Sequence, residues 1–315
     1  MTTYNGAQFL EDQINSILQQ TYSNIELIVV DDCSTDNTYE LLKSFLSKDK
    51  RIHIFKNKNN IGFVKNFCKA ISLCSGDFIA LSDQDDIWED WKIEKQINSI
   101  KDFDLLCTNS LLIDEYNNSL GLTMKETLCF TEIPSNQDYL FKYLCHKNFV
   151  QGSTILATSA FLKEQIKEVN QFSDFLFHDH LFALKASINN GIIYLPDCTI
   201  RYRQHGEQVT KNLNTINKNK KDKYYQKIID ILLFVKSFNL SMNQIIYVNY
   251  AKPFVQTLFS KNNELSSHRF CLQSVCYQTC FVNFIRSFVV QPLMNPFTIE
   301  ELYKFPETFS QFLCT

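Results

Sequence analysis

The stretch IELIVVDDCSTDNTYELL, residues 25–42, carries the local pattern on which the fold depends. It opens with an apolar run that is typical of a strand buried on both faces. An acidic pair, Asp31 and Asp32, follows the run at once. Capping residues then lead into a segment with leucines at helical spacing. A strand that feeds directly into a helix is the repeating unit of a parallel sheet covered by helices.

The same alternation continues through the first half of the chain. The predicted strands are residues 25–30, 51–55, 77–81 and 103–108. The predicted helices are residues 6–18, 34–46, 63–72 and 91–100. This order predicts a doubly wound α/β architecture with a parallel sheet, in which ligands bind at the carboxyl ends of the strands.

Acidic residues follow two of these strands. Asp31 and Asp32 follow the first, and Asp83, Asp85 and Asp86 follow the strand at 77–81. Either group alone could cap the next helix. Two such groups at one edge of a sheet favour a divalent cation, because carboxylates suit Mg²⁺ or Mn²⁺ and those ions bind phosphate oxygens. The chain has neither a GxxxxGK[ST] loop nor a GxGxxG after its first strand, so a metal would hold a nucleoside diphosphate here.

Composition narrows the remaining choices. The chain has 315 residues and is 45% hydrophobic, which suits one large domain with an appendage, or two domains. Its net charge of −3 does not indicate a nucleic-acid partner. The eleven cysteines lack a CxxC pair, which predicts reduced thiols in a cytoplasmic protein. The N-terminal sequence lacks the pattern of a signal peptide. The longest apolar stretch, residues 270–293, is interrupted by polar side chains and makes a poor membrane span.

Four motifs occur in a characteristic order: TYNG at 3–6, VVDDCSTDNT at 29–38, NIGFVKN at 60–66 and ALSDQDDIW at 80–88. In this order they resemble the family-2 glycosyltransferases of the GT-A fold, and most closely the bacterial rhamnosyltransferase-like branch. The resemblance covers residues 1–209. It implies a doubly wound mixed sheet in a catalytic domain at 1–210, followed by a linker and a helical C-terminal region at 211–315.

The resemblance implies a donor site built from the first motifs and the acidic loop. Thr3 and Asp32 would contact the nucleobase and the ribose, with Tyr4 and Asp31 beside them. Asp83 would bind the ribose or a metal-bound water.

The metal site is implied by the acidic loop and by a second string. Asp85 would be the main ligand of Mn²⁺ or Mg²⁺, and Asp86 would only orient the loop. The string IRYRQHGEQVTK, residues 200–211, would form a flexible loop over the diphosphate. There Arg203 would pair with phosphate oxygens and His205 would complete the metal coordination or bind the phosphate. A basic surface loop without such a role is the alternative.

Asp179 begins a predicted amphipathic helix, and the resemblance implies that it is the general base. The alternative is a carboxylate that only stabilises the N-terminus of the helix. His178 would pack beside the base or touch the acceptor, and the loop at Gly152 would border the acceptor pocket. Alternate spacing points His178 and His180 in different directions, which argues against a zinc site.

The implied activity is that of an inverting, metal-dependent glycosyltransferase. It would move a sugar, with deoxythymidine-diphosphate rhamnose favoured, to a glycan or lipid-linked glycan of a surface polysaccharide such as O-antigen or capsule. A non-catalytic, degenerate GT-A scaffold is one alternative. The other is a sugar-phosphate nucleotidyltransferase, which would need a Gly-rich basic loop after the first strand.

Two features depart from the family pattern, and the C-terminal third has no motif. Relatives have several apolar residues before the TYN string, so a very short inner strand is expected here. Asn109 stands where relatives often have Asp. Helices are predicted at 224–238 and 272–289; they would pack on the catalytic domain or a partner, or contact the inner face of the cytoplasmic membrane.

Overall fold

The computed structural model describes residues 1–127, 133, 135–168, 177–206, 218–242, 244–245, 247–249 and 251–252. Contacts divide the chain into two compact units. The first unit contains residues 1–218 and 236–245, and it holds every candidate site residue. The predicted boundary at residue 210 stays a prediction, because residues 207–217 lie outside the described part of the chain.

Three parallel strands form the first sheet, in the order β1-β2-β3. They are β1 (Thr2–Thr3), β2 (Leu27–Asp31) and β3 (Ile52–Lys56). All residues of β2 are buried, as its apolar run predicts. The expected short first strand is found: β1 pairs only Thr2 with Val30 and Thr3 with Asp31.

The four helices predicted from apolar spacing in the first hundred residues are all present. They are α1 (Leu10–Leu18), α2 (Thr38–Leu46), α3 (Phe63–Leu73) and α4 (Lys92–Ile100). In α1 the buried side chains include Leu10, Ile14 and Ile17, which recur at the helical period. The helices therefore begin and end close to where the sequence pattern places them.

The second sheet is mixed. Its strands run in the order β4-β8-β6-β9-β5, and β7 pairs with β6 outside this order. They are β4 (Phe78–Ala80), β5 (Ile87–Trp88), β6 (Leu105–Ile113), β7 (Ser119–Thr123), β8 (Leu156–Thr158) and β9 (Ile192–Arg203). The prediction of a parallel sheet is wrong for this half, because β8 inserts antiparallel between β4 and β6. Only β6 and β9 run parallel in it.

Four further α-helices of the first unit lie between residues 124 and 188 of the described chain. They are α5 (Met124–Thr127), α6 (Gln137–Leu144), α7 (Ser159–Gln165) and α8 (His178–Ile188). The side chain of Asn136 accepts a hydrogen bond from Tyr139 N and so caps α6, and Thr158 caps α7 in the same way.

A core cluster joins α1 and the first sheet to the second sheet. Its buried members are Met1, Leu10, Ile14, Ile17, Leu27, Val29, Leu42, Phe45, Ile52, Trp88, Ile93 and Ile200. Because residues from both sheets share this core, the ends of β2, β4 and β9 are held in a fixed relation to one another. The six cysteines of the described residues are free thiols, as predicted.

The second unit contains most of α9 (Lys218–Val235). This helix confirms the one predicted at 224–238, and it begins six residues earlier than that pattern. The helix predicted at 272–289 lies outside the described residues. None of the helices described here combines the length and apolarity that a membrane crossing requires.

Candidate active site

The acidic loop, residues 82–86 between β4 and β5, is anchored at its first residue. Ser82 Oγ accepts a hydrogen bond of 2.7 Å from Gln13 Nε2 and donates one of 2.8 Å to the carbonyl of Asp83. The main-chain carbonyl of Ser82 accepts from Thr2 N at 3.3 Å. The loop therefore starts from a point tied to both α1 and β1.

Gln84, in the middle of the loop, binds the TYNG motif. Its Oε1 accepts from Tyr4 N at 2.8 Å, and its Nε2 donates to Tyr4 O at 3.1 Å. Gly6 makes this approach possible, since a Cβ at that position would lie 2.2 Å from Gln84 Cδ. Sequence reasoning missed Gln84, although it stands between the acids of a motif already identified. Tyr4 itself is 46% exposed at the rim of this contact.

The structure brings Asp85 and His205 together, as the resemblance implied. His205 Nε2 lies 2.8 Å from Asp85 Oδ2, and the two side chains are 11% and 18% exposed. The imidazole also packs on the ring of Phe9, with centroids 4.9 Å apart. The carboxylate and the imidazole thus form a pair that Phe9 supports on one side and that is still partly exposed to solvent.

Asp83 lies among other acids and is partly buried. Burial, and repulsion from Asp85 and Asp179, raise the pKa of its carboxyl to about 7, and the amine of Met1 offsets this in part. Asp83 thus lies within electrostatic range of Asp85 and of Asp179, although Asp179 is 94 residues or more from the other two along the chain. A cation placed here would relieve this repulsion.

The candidate base lies in the first turn of α8. Asp179 Oδ1 accepts from His180 N at 2.7 Å. Gly152 is adjacent, because a Cβ on it would lie 3.4 Å from His178 Nε2 and 3.9 Å from Asp179 Cβ. The three residues predicted for the base and the acceptor pocket are therefore neighbours.

The two histidines beside Asp179 face different elements, as predicted. His178 stacks on Phe67 with ring centroids 4.3 Å apart, and burial lowers its pKa to about 3. His180 Nε2 lies 2.6 Å from the carbonyl of Leu144. His178 therefore packs against α3 next to the candidate base, and its contact with the acceptor stays a prediction.

Thr3, Asp31 and Asp32 are brought together, and all three are buried. Asp31 accepts hydrogen bonds from Thr3 Oγ1 and from the amide and hydroxyl of Ser34. Asp32 accepts from Asn57 Nδ2 at 2.7 Å and from the amides of Ile61 and Gly62 at 2.9 Å. These carboxylates organise the loops around them, and their contact with a donor stays a prediction.

Two neighbouring residues of the NIGFVKN motif differ in exposure and in their contacts. Asn66 is 1% exposed, donates to Val30 O and accepts from Asn57 Nδ2, so it supports the loop that Asp32 holds. Lys65 is exposed on the surface of α3.

The prediction that Arg203 lies on a flexible loop is wrong. Arg203 is the last residue of β9, which pairs with β6, and its side chain is 1% exposed. Its Nε donates to Asp85 O at 2.7 Å, and its main-chain N donates to Asp86 Oδ1 at 3.2 Å. Pairing of Arg203 with phosphate stays a prediction, while its observed partners are protein atoms.

Asp86 is fully buried, in line with a role in orienting the loop. Burial and the neighbouring carboxylates Asp85 and Asp83 raise its pKa well above the usual range. Lys92, also fully buried, is the cation that interacts with it, and its Nζ bonds Gln96 Oε1 at 2.7 Å and lies over the Trp88 ring. No sequence pattern distinguishes this lysine from the exposed lysines of α4.

The donor set fits a divalent metal that shares its coordination with a substrate. Among the described residues no group of three His, Cys, Asp or Glu side chains is arranged to hold an ion. Asp85 and His205 could supply two ligands, and Mg²⁺ or Mn²⁺ commonly takes one or two protein ligands with phosphate and water oxygens supplying the rest.

Comparison with known proteins shows the family of this chain. The sequence model described as Glycosyl transferase family 2 matches residues 1–161. Glycosyltransferase GlyG of Streptococcus pneumoniae serotype 4 is 28% identical over 81% of this chain and 86% of its own length. The dTDP-rhamnosyl transferase RfbG of Shigella flexneri is 31% identical over 72% of this chain and 81% of its own length.

Solved structures show the same fold at low identity. Staphylococcus aureus TarS 1–349, in complex with UDP-GlcNAc, superposes with a TM-score of 0.56 at 18% identity, over 83% of this chain and 72% of that one. The mannosyltransferase PcManGT of Pyrobaculum calidifontis, in complex with GDP-Man and Mn²⁺, superposes with a TM-score of 0.54 at 12% identity, over 92% and 81%. The ordered motifs, the acid-rich site and these matches together show that the chain belongs to glycosyl transferase family 2 and is a glycosyltransferase of the GT-A fold.

Proposed function

We propose that this glycosyltransferase is inverting and metal-dependent, and that it moves a sugar from a nucleoside-diphosphate donor to a hydroxyl group of a glycan in surface polysaccharide synthesis. The observation that carries the proposal is the pair Asp85–His205 in the same acid-rich site as Asp179. The pair Asp85–His205 suits a metal that binds a diphosphate leaving group, and Asp179 supplies a base.

The proposed chemistry is a single displacement. Asp179 accepts the proton of the acceptor hydroxyl while that oxygen forms a bond to the anomeric carbon of the donor. The bond between that carbon and the diphosphate oxygen breaks, and the nucleoside diphosphate leaves with the bonding electrons. A divalent cation bound at Asp85 and His205 would neutralise the charge of the leaving group. Attack opposite the leaving group inverts the anomeric configuration.

The surroundings of Asp179 support its role as base. Its carboxylate is partly exposed at the first turn of α8, where a hydroxyl can approach. Gly152 leaves open the space that a larger side chain would fill beside Asp179. The buried imidazole of His178 stays neutral, so it does not compete as a charged partner for the carboxylate.

The donor is proposed to be deoxythymidine-diphosphate rhamnose, and the metal Mn²⁺ or Mg²⁺. The similarity to a dTDP-rhamnosyl transferase of Shigella flexneri supports the sugar. A Bacillus subtilis relative named a putative teichuronic acid biosynthesis glycosyltransferase, 38% identical over 95 residues, supports a polymer of the cell surface. The Mn²⁺ bound in PcManGT supports the metal.

The acceptor is proposed to be a glycan, free or lipid-linked, that the enzyme meets in the cytoplasm at the inner face of the membrane. The basic segment 211–223 and the apolar segment 270–293 support peripheral contact through the C-terminal region. Sedimentation of the full chain with anionic vesicles tests this contact, and full recovery in the supernatant would contradict it.

Hydrolysis and transfer across a panel of donors test the proposed function. dTDP-rhamnose, UDP-GlcNAc, UDP-glucose and GDP-mannose are each incubated with Mn²⁺, with Mg²⁺ and with EDTA. We expect turnover of one donor that requires metal and is abolished in Asp85→Asn. Asp90→Asn, an exposed acid of the same region, is the matched control and keeps activity. A folded wild type that neither binds nor turns over any donor with metal would overturn the proposal in favour of a non-catalytic scaffold.

A further inference from the structure

Arg203 is a buried cation beside the proposed metal pair, and its hydrogen bonds link three separate elements. Its Nε donates to the carbonyl of Asp85 at 2.7 Å, and its Nη2 lies 3.4 Å from Asp12 Oδ2 on α1. Its Nη1 donates to the carbonyl of Glu115 at 3.3 Å and to Asn117 Oδ1. A guanidinium with 1% exposure depends on such acceptors, because burying its charge without them is costly.

Arg203 is linked to both members of the proposed metal pair, to Asp85 by a hydrogen bond and to His205 along the chain. It holds the backbone of Asp85 through its side chain and Asp86 through its main-chain amide. His205 follows it by two residues, and both lie against Phe9: the guanidinium is 4.5 Å and the tilted imidazole 4.9 Å from the centroid of that ring. A shift of the guanidinium would therefore move both proposed metal ligands.

The turn between β6 and β7 sets the position of this guanidinium. Asn117, at φ = 70° in that turn, accepts from Arg203 Nη1, and its own Nδ2 lies 3.4 Å from Asp12 Oδ2. Asn117 is exposed and belongs to none of the motifs of the sequence. Asn117 thus contacts both Arg203 and Asp12, whose Oδ2 also lies 3.4 Å from Arg203 Nη2.

We infer that Arg203 is a positioning residue for the proposed metal pair Asp85–His205, and that Asn117, in the β6–β7 turn, fixes Arg203 in the orientation this requires. The inference rests on the proposed function, since it concerns the metal site named there. If this is correct, the side chain of Asn117, in a surface turn outside the motifs, affects the affinity of the protein for the metal.

The experiment measures Mn²⁺ binding to the full chain by electron paramagnetic resonance, with dTDP or UDP present to complete the coordination. Arg203→Ala removes a buried charge network on which folding depends, so Asn117→Gly is the main variant: glycine accepts the positive φ and deletes only the side chain. Asn117→Asp keeps the acceptor oxygen and is the rescue variant. Asn118→Gly removes the neighbouring amide, which bonds Asp114 and not Arg203, and is the matched control.

We expect Asn117→Gly to weaken Mn²⁺ binding about tenfold, the lower end of the range for groups that orient metal ligands. Asn117→Asp and Asn118→Gly should bind Mn²⁺ like the wild type, and all three variants should keep the melting temperature of the wild type. Equal affinity of Asn117→Gly and wild type would overturn the inference alone. Absence of Mn²⁺ binding by the wild type would instead overturn the proposed metal site, so the two failures are distinguishable.

Discussion

His205 Nε2 and Asp85 Oδ2 lie 2.8 Å apart, although 120 residues separate them in the chain. Asp85 comes from the loop after β4, and His205 follows the end of β9. β9 reaches this loop because it pairs antiparallel with β5, with Ile87 opposite Arg201 and Trp88 opposite Ile200. The pair is therefore a product of the strand order in the second sheet.

Replacement of His205 by Gln should weaken the metal site without unfolding the protein. Loss of a direct ligand should raise the Mn²⁺ concentration for half-maximal turnover by at least about tenfold, which is the loss seen when a group that merely orients a ligand is removed. Metal titration of donor hydrolysis measures this. His53→Gln, at an exposed position of β3, is the control. An unchanged metal requirement in His205→Gln would contradict the assignment of His205 as a ligand.

Replacement of Asp179 by Asn should separate chemistry from donor binding. The amide cannot take the acceptor proton, so the turnover number should fall by about 10² to 10⁴, the range for general base catalysis. Calorimetry should show that the variant binds donor and Mn²⁺ as the wild type does. If transfer persisted at the wild-type rate, another residue would be the base.

Substitution of Gly6 by Ala should disconnect the TYNG motif from the acidic loop. The new Cβ would lie 2.2 Å from Gln84 Cδ, so the amide must rotate away and give up both hydrogen bonds to Tyr4. The free energy of unfolding should fall by about 1 to 2 kcal/mol, the value of two such bonds. Urea denaturation measures it, with Gly206→Ala as a control because no atom lies within 4 Å of a Cβ there.

A double-mutant cycle sharpens this prediction. Gln84→Ala should cost about as much as Gly6→Ala, and the double variant no more than either, because both changes remove the same contact. Additive losses would show that Gly6 is needed for a reason other than its approach to Gln84.

Replacement of Lys92 by Met should destabilise the fold more than the same change at Lys95. Lys92 is fully buried, its Nζ bonds Gln96 Oε1 at 2.7 Å and it lies over the Trp88 ring, while Lys95 is exposed and 3.4 Å from Asp197. Met at position 92 would leave the buried Gln96 Oε1 without its donor, which costs about 1 to 3 kcal/mol, whereas a surface pair contributes at most about 1 kcal/mol. Equal unfolding free energies for the two variants in urea would contradict the importance of the buried lysine.

Acid should destabilise the protein in part through His178. Burial lowers its pKa to about 3 from an ordinary value of 6.5, so the unfolded chain binds a proton between these values that the folded chain does not. Stability should therefore fall as pH decreases from 6.5 towards 3. In His178→Leu the slope of unfolding free energy against pH should be shallower by up to about 1.4 kcal/mol per pH unit. Parallel profiles for wild type and variant between pH 4 and 7 would contradict this.

Much of the first half of the fold follows from local pattern. The helices α1 to α4 and the strands β2, β3, β4 and β6 lie where apolar periodicity predicts them, because each buries one continuous face or run. Strand β9 could not be found in this way, since IIYLPDCTIRYR contains a proline, an acid and two arginines. Its pairing with β6 shifts register near Asn109, which accommodates this irregular sequence.

The sequence by itself determined the strand–helix order, the positions of the acids after their strands and the candidate base at the start of α8. These depend on neighbouring residues and on the period of the side chains, which a linear pattern records. Only the tertiary structure decided that Asp85 meets His205, that Lys92 lies beside Asp86 and that Arg203 faces protein acceptors. Each of these depends on partners far along the chain, because the free energy of a buried charge is set by the groups that surround it in space.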